Sequence, residues 1–157
     1  MKESIVEPGY IGHQVEMSTP IPKLDADAVN ALLRRAFPDA QPEAFPHVLE
    51  VVAGRVKVMS PYREGLLRPG GVISGPALMS LADTAAYALV LAHVGDQLMA
   101  VTSQLNISFL RGARPGDLHA EAELLRLGRR LAVCDVRLWT GGRDRLAAQA
   151  NVTYVLP

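Results

Sequence analysis

Apolar and polar positions alternate along the chain in two distinct rhythms. Val29, Leu32, Leu33 and Phe37 recur at helical spacing between Asp25 and Phe37, with Asp25 or Asp27 able to cap and Pro38 to stop the helix. From His47 to Tyr62 the period drops to two: VLEVV and RVKVMS flank an Ala53-Gly54 turn or bulge, and Val56 and Val58 alternate with Arg55 and Lys57. Residues 63–75, REGLLRPGGVISG, read as a Gly/Pro-rich loop. A nearly unbroken apolar run follows over 76–94, PALMSLADTAAYALVLAHV, with Ser74 or Gly75 ahead of Pro76 as its start and Gly95 as its stop. Alternation then returns in Met99–Leu110, Leu118–Leu127, Leu131–Thr140 and Leu146–Leu156, with turns at Gly128-Arg129-Arg130 and Gly141-Gly142. Strands joined by short turns predict an antiparallel sheet of successive hairpins, and one apolar helix ahead of them predicts an α+β domain with the helix on one face. Residues 1–22 carry no periodicity and three prolines; they are expected to form a flexible arm ahead of a single domain over 23–157.

Composition narrows the function classes. The 157 residues are 49% hydrophobic, enough for an ordinary core. Sixteen basic residues balance sixteen acidic ones, which removes the electrostatic footprint of a general nucleic-acid binder. One cysteine excludes a disulfide framework and a CxxC metal site, and the four scattered histidines form no paired metal motif. Lys2 and Glu3 precede no apolar stretch, so a cytoplasmic location is expected.

The 76–94 run is long enough to span a bilayer, but Asp83 sits near its middle and the amphipathic strands need a partner face, so a core helix is expected. Asp83 is the most informative residue in the chain. A carboxylate in apolar surroundings must be paired or hydrogen-bonded, and no Lys or Arg lies three or four residues away. It therefore lies at a polar seam or is kept for chemistry. At the helix start, free first-turn amides and the macrodipole favour negative charge, and Gly75 permits close approach: either an oxyanion site for acyl chemistry or simply a helix start. Gly75 and Asp83 are about 12 Å apart along one helix, too far to meet on one carbonyl. Two chains related by a two-fold axis could bring Gly75 of one beside Asp83 of the other, which hints at a dimer with composite sites.

One helix wrapped by an antiparallel sheet, with Leu81-Ala82-Asp83-Thr84 placing its Asp eight residues after Gly75, resembles the hotdog-fold acyl-CoA thioesterases, in particular the phenylacetate-pathway (PaaI-like) branch. VTSQLNISFLRGARPGDL, GRRL and LAAQANVTYV are similar to that family's strands and turns, so the likeness covers roughly 47–156. The resemblance implies a hotdog fold and hydrolysis of an acyl-CoA to free acid and coenzyme A. It further implies Asp83 as general base or nucleophile, the Gly75 N–H as oxyanion donor, and Thr102 orienting the water or the Asp. It implies no cofactor beyond coenzyme A as part of the substrate, no nucleic-acid or membrane partner, and a homodimer at minimum, extending to a homotetramer. Strand parity places Thr102 with Gln104, Asn106 and Ser108 on the polar face, so a role beside the helix requires a twist or bulge. The family's His is replaced by Ser74, its second Gly by Pro76, and its upstream Asn falls near Arg68, which either substitutes as a cation near the carbonyl or is a surface residue.

Arg111, Arg114, Arg129 and Arg130 are candidates for the phosphates of coenzyme A, against a reading as solvated loop charge. Cys134, on the apolar face of its strand, is expected to be a buried thiol, and His93 a structural residue at the helix end. A hydratase of the same fold would need an Asp/His pair that is lacking here, and a ligand-sensing regulator would need a basic DNA-binding module. A non-catalytic acyl-CoA-binding dimer is the alternative from another class.

Overall fold

The computed structural model describes residues 18–157; most of the expected N-terminal arm, residues 1–17, lies outside the described residues. Asp25 accepts a hydrogen bond from the Ala28 N–H and caps helix α1, Ala26–Ala36, which buries Val29, Leu32 and Leu33. Strands β1 (His47–Val52) and β2 (Arg55–Ser60) form the first hairpin, turning at Gly54, whose φ of +70° suits glycine. Helix α2, Gly75–Val94, is followed by β5 (Val101–Phe109), β6 (Leu118–Leu127), β7 (Leu131–Thr140) and β8 (Ala148–Val155).

Residues 63–75 are more ordered than the loop their composition suggests. They hold a 3-10 turn at Glu64–Leu66 and a two-stranded ribbon, β3 (Leu67–Arg68) with β4 (Val72–Ile73), whose turn uses positive φ at Gly70 and Gly71. The Ser74 N–H donates to Leu66 O at 2.8 Å and the Ile73 N–H to Ala113 O at 2.9 Å, so the ribbon fixes the start of α2.

Six strands form one antiparallel sheet in the order β1-β2-β6-β7-β8-β5. The expected run of successive hairpins therefore fails at β5, which pairs with β8 rather than β6. Residues 110–117 are too long for a tight turn, and they carry the chain across to β6 while β5 takes the far edge.

Helix α2 lies in the curve of this sheet, packed on β2, β6, β7 and β8. Alanines dominate both surfaces: Ala82, Ala85, Ala86, Ala88 and Ala92 on the helix, and Ala120, Ala122, Ala148 and Ala150 on the strands, are fully buried. Small residues let the helix axis approach the sheet closely, so little space is left for larger side chains. The helix is long and apolar enough to cross a membrane, yet most of its surface is buried within the protein's own core.

His93 is structural, but not as a cation at the helix end. It is buried, its Nδ1 is 2.8 Å from Leu89 O, and its Nε2 accepts the Gly54 N–H at 2.9 Å, which defines a neutral ring. Burial pushes its pKa below the ordinary histidine value, against the backbone hydrogen bonds that raise it.

Candidate active site

Ser74 is the N-cap of α2, in extended backbone (φ −68°, ψ 151°), with its hydroxyl accepting weakly from the Ala77 N–H at 3.4 Å. Pro76, in the first turn, has no N–H to satisfy. The Gly75 N–H finds no acceptor among the described residues. It is one of the free donors that every helix start leaves, here at the positive end of a 20-residue helix. The ring of Phe109 lies over Gly75: a Cβ at this position would sit 3.3 Å from the Phe109 Cζ. Glycine is thus favoured by close approach, its φ being ordinary, and a larger residue would need the half-exposed Phe109 ring to give by a few tenths of an ångström.

Two turns along α2, Asp83 Oδ1 accepts two hydroxyl hydrogen bonds, from Thr102 Oγ1 at 2.6 Å and Tyr154 Oη at 2.8 Å. Oδ2 has no hydrogen-bond partner among the described residues. One oxygen anchors the carboxylate and the other is left for a ligand or water. A bulge makes this possible. Thr102 pairs with Tyr154 but Gln104 with Thr153, so Ser103 is an extra residue in β5. The insertion reverses the side-chain parity at Thr102 and turns it toward the helix.

Tyr154 is the site residue that the sequence reading missed. It shares the inner face of β8 with Ala148, Ala150 and Val152, and a phenol on a buried face needs a partner for its hydroxyl. That parity was the available signal. Burial, reinforced by the Asp83 charge, raises the Tyr154 pKa far above the ordinary phenol value, so it remains a donor. Its ring stacks on Tyr87 (centroids 5.7 Å apart), which meets Phe37 edge-on (6.2 Å), which in turn contacts Phe45 (5.5 Å).

The remaining candidates lie further out. Arg68 is exposed and paired with Val72 beside the β3–β4 turn, away from the Leu66 carbonyl that faces Ser74. Arg111 and Arg114 line a polar cleft of about 260 Å³ together with Arg145, a third arginine supplied by the β7–β8 loop. This cleft adjoins the start of α2 through the Ile73–Ala113 hydrogen bond. Arg129 and Arg130 occupy the β6–β7 turn at the opposite end of the sheet, where Leu131, Val155 and Val101 align. Within one chain the four arginines are therefore two separate groups.

Cys134 is buried and desolvation pushes its thiol up to about 12, which removes it as a nucleophile. No cluster of three or more metal-ligating side chains occurs among the described residues.

Residues 70–154 match the thioesterase superfamily. The crystal structure of a protein from Silicibacter sp., described as a "putative thioesterase", is 36% identical and superposes with a TM-score of 0.78 over 89% of this chain and 96% of that one. A Saccharolobus solfataricus protein named a "putative esterase" is 32% identical over 143 residues, 86% of this chain and 87% of its own length. The E. coli PaaI protein from the phenylacetic acid degradation operon, at 20% identity, shares the fold, with a TM-score of 0.69 over 84% of this chain and 95% of its own. An antiparallel sheet closed around one helix, with a carboxylate held on that helix and an unpartnered N–H at its start, thus accompanies clear relatedness in sequence, and the chain belongs to the thioesterase superfamily, with the hotdog fold of its PaaI-like members.

Proposed function

We propose that this hydrolase acts on acyl-coenzyme A, releasing the free acid and coenzyme A, and that each active site is shared between two chains. The observation that carries the reading is the Asp83 carboxylate, with Oδ1 anchored by Thr102 and Tyr154 and Oδ2 free. Strand β5 is one of the two edges of the sheet, the other being β1, and its exposed residues include Val101 and Phe109. A second copy added there in antiparallel sense sets the Phe109 end, with Gly75, against the partner's Val101 end, with Thr102 and Asp83. The same symmetry brings Arg111, Arg114 and Arg145 of one subunit to the side that carries Arg129 and Arg130 of the other, where they would hold the phosphates of coenzyme A. The homotetramer expected from the family resemblance would be a further pairing of such dimers.

In this site the thioester oxygen accepts the Gly75 N–H, strengthened by the helix dipole. Oδ2 of the partner subunit's Asp83 takes a proton from water as the water oxygen bonds to the carbonyl carbon. The tetrahedral intermediate places its oxyanion on the Gly75 N–H, then collapses with cleavage of the C–S bond. The sulfur takes the proton from Asp83 and leaves as coenzyme A thiol. Direct attack by Oδ2, forming an anhydride that water then hydrolyses, uses the same groups. Thr102 orients the carboxylate, and no cofactor takes part beyond the substrate's own coenzyme A.

A panel of acyl-coenzyme A esters with detection of the released thiol tests this reading. Wild type is expected to turn over, and Asp83→Asn to bind but lose at least about a hundredfold in kcat, as expected for removal of a central catalytic group. Ser74 favours one alternative, since its hydroxyl serves the helix cap and replaces the family's histidine. Tight acyl-coenzyme A binding by wild type with no thiol release would establish a binding dimer instead.

A further inference from the structure

A second cleft, of about 400 Å³, opens over α2 on the helix face that adjoins Asp83. Its floor is Ser80 and Thr84, three residues before and one after Asp83, and its wall is the 40–46 segment, including Gln41 and Phe45. Arg63 lies at its rim. One guanidinium nitrogen donates to Ala44 O at 2.8 Å, and no carboxylate lies within 4 Å of it among the described residues. The nearby acids Asp39, Glu43 and Glu64 thus leave it unpaired, although six other carboxylate contacts occur on this chain. The Ala44 bond engages one of five guanidinium N–H donors. The stacked series Tyr154, Tyr87, Phe37 and Phe45 ties the cleft wall to the anchor of Asp83, so the two are rigidly related.

We infer that this cleft receives the far end of the acyl group and that Arg63 selects acyl chains ending in a carboxylate. The inference rests on the thioester-hydrolase reading and adds the substrate class. A thioester placed at Asp83 leads its acyl chain along the helix face bearing Ser80 and Thr84. A plain hydrocarbon tail would cover the Arg63 guanidinium and the Ser80 hydroxyl without satisfying them, whereas a terminal carboxylate meets both; the Thr84 hydroxyl already donates to Ser80 O at 2.9 Å.

The test compares thiol release from ω-carboxyacyl-coenzyme A esters of four to eight carbons with the unsubstituted esters of equal length, in wild type, Arg63→Met and Arg63→Lys. At one length wild type is expected to favour the carboxylated ester about tenfold in kcat/KM, the worth of a charge-assisted hydrogen bond. The ratio should fall to near one in Arg63→Met and recover in part in Arg63→Lys. An Arg63 that merely pins Ala44 would lower both substrates together and leave the ratio unchanged. A ratio near one at every length in wild type, or one that Arg63→Met does not move, overturns the assignment. Calorimetric binding of the non-hydrolysable thioether analogues separates this from failure of the hydrolase reading. If no ester releases thiol but the carboxylated thioether binds about tenfold tighter through Arg63, the selectivity stands alone, and equal binding overturns it.

Discussion

Asp83 illustrates how few contacts set a reactive group. Two hydroxyls on one carboxylate oxygen fix its rotamer, and both come from adjacent positions of a strand pair, Thr102 and Tyr154. Removing either should loosen the carboxylate while leaving it present. Tyr154→Phe and Thr102→Val are each expected to lower kcat by about tenfold with little change in KM, the loss of one hydrogen bond to a charged group. Steady-state kinetics of thiol release checks this; an unchanged kcat in both would remove the anchor from the mechanism. Gly75 permits an independent test. Ser74 already has the extended backbone that a following proline requires, so Gly75→Pro deletes the N–H at a position where a helix start tolerates proline. A fall in kcat of roughly a hundredfold or more, with the fold retained by circular dichroism, is expected of a lost oxyanion donor.

At the scale of elements, the first hairpin and the central helix are joined through His93. Its ring accepts the Gly54 N–H only while neutral. Because burial lowers the folded pKa below the unfolded value of 6.5, the unfolded chain binds the extra proton more readily once the pH drops beneath that value. Stability from this bond is therefore present at neutral pH and declines as pH falls through and below about 6.5. Urea melts at pH 7.5 and 5.5 should show a smaller loss on acidification in His93→Gln than in wild type, the amide being unable to titrate. The bulge in β5 is the second device at this scale. Deleting Ser103 leaves Thr102 next to Gln104 and still opposite the inward Tyr154, so the strand becomes regular with Thr102 facing the helix, and turnover measured by thiol release should be retained.

For the whole molecule, the free edge of β5 and the exposed Met79, Met99, Val101, Phe109 and Leu110 define where a second copy is expected. Val101→Lys with Phe109→Lys should shift light scattering to the monomer mass and remove activity in parallel. A persistent dimer with unaltered turnover would place the interface elsewhere. A shared site also predicts complementation. Inactive Gly75→Pro and Asp83→Asn chains, refolded together, should regain about a quarter of wild-type activity, since half the random dimers carry one intact site of two. Sites confined to single chains would regain none.

Much of this was legible in the pattern of residues. The capped α1, the apolar central helix bounded by Ser74 and Gly95, the alternating strands and the importance of Asp83 follow from local periodicity and from the cost of burying charge, both properties of neighbouring residues. Local pattern could not place β5 beside β8, because strand order depends on how the whole sheet closes around the helix. It could not supply the bulge that turns Thr102 inward, which is a mismatch between two strands fifty residues apart. Nor could it bring Tyr154 to Asp83, gather Arg145 with Arg111 and Arg114, or set Arg63 beside Ser80 and Thr84 of the central helix. Those meetings join distant segments, and only the packed chain decides them.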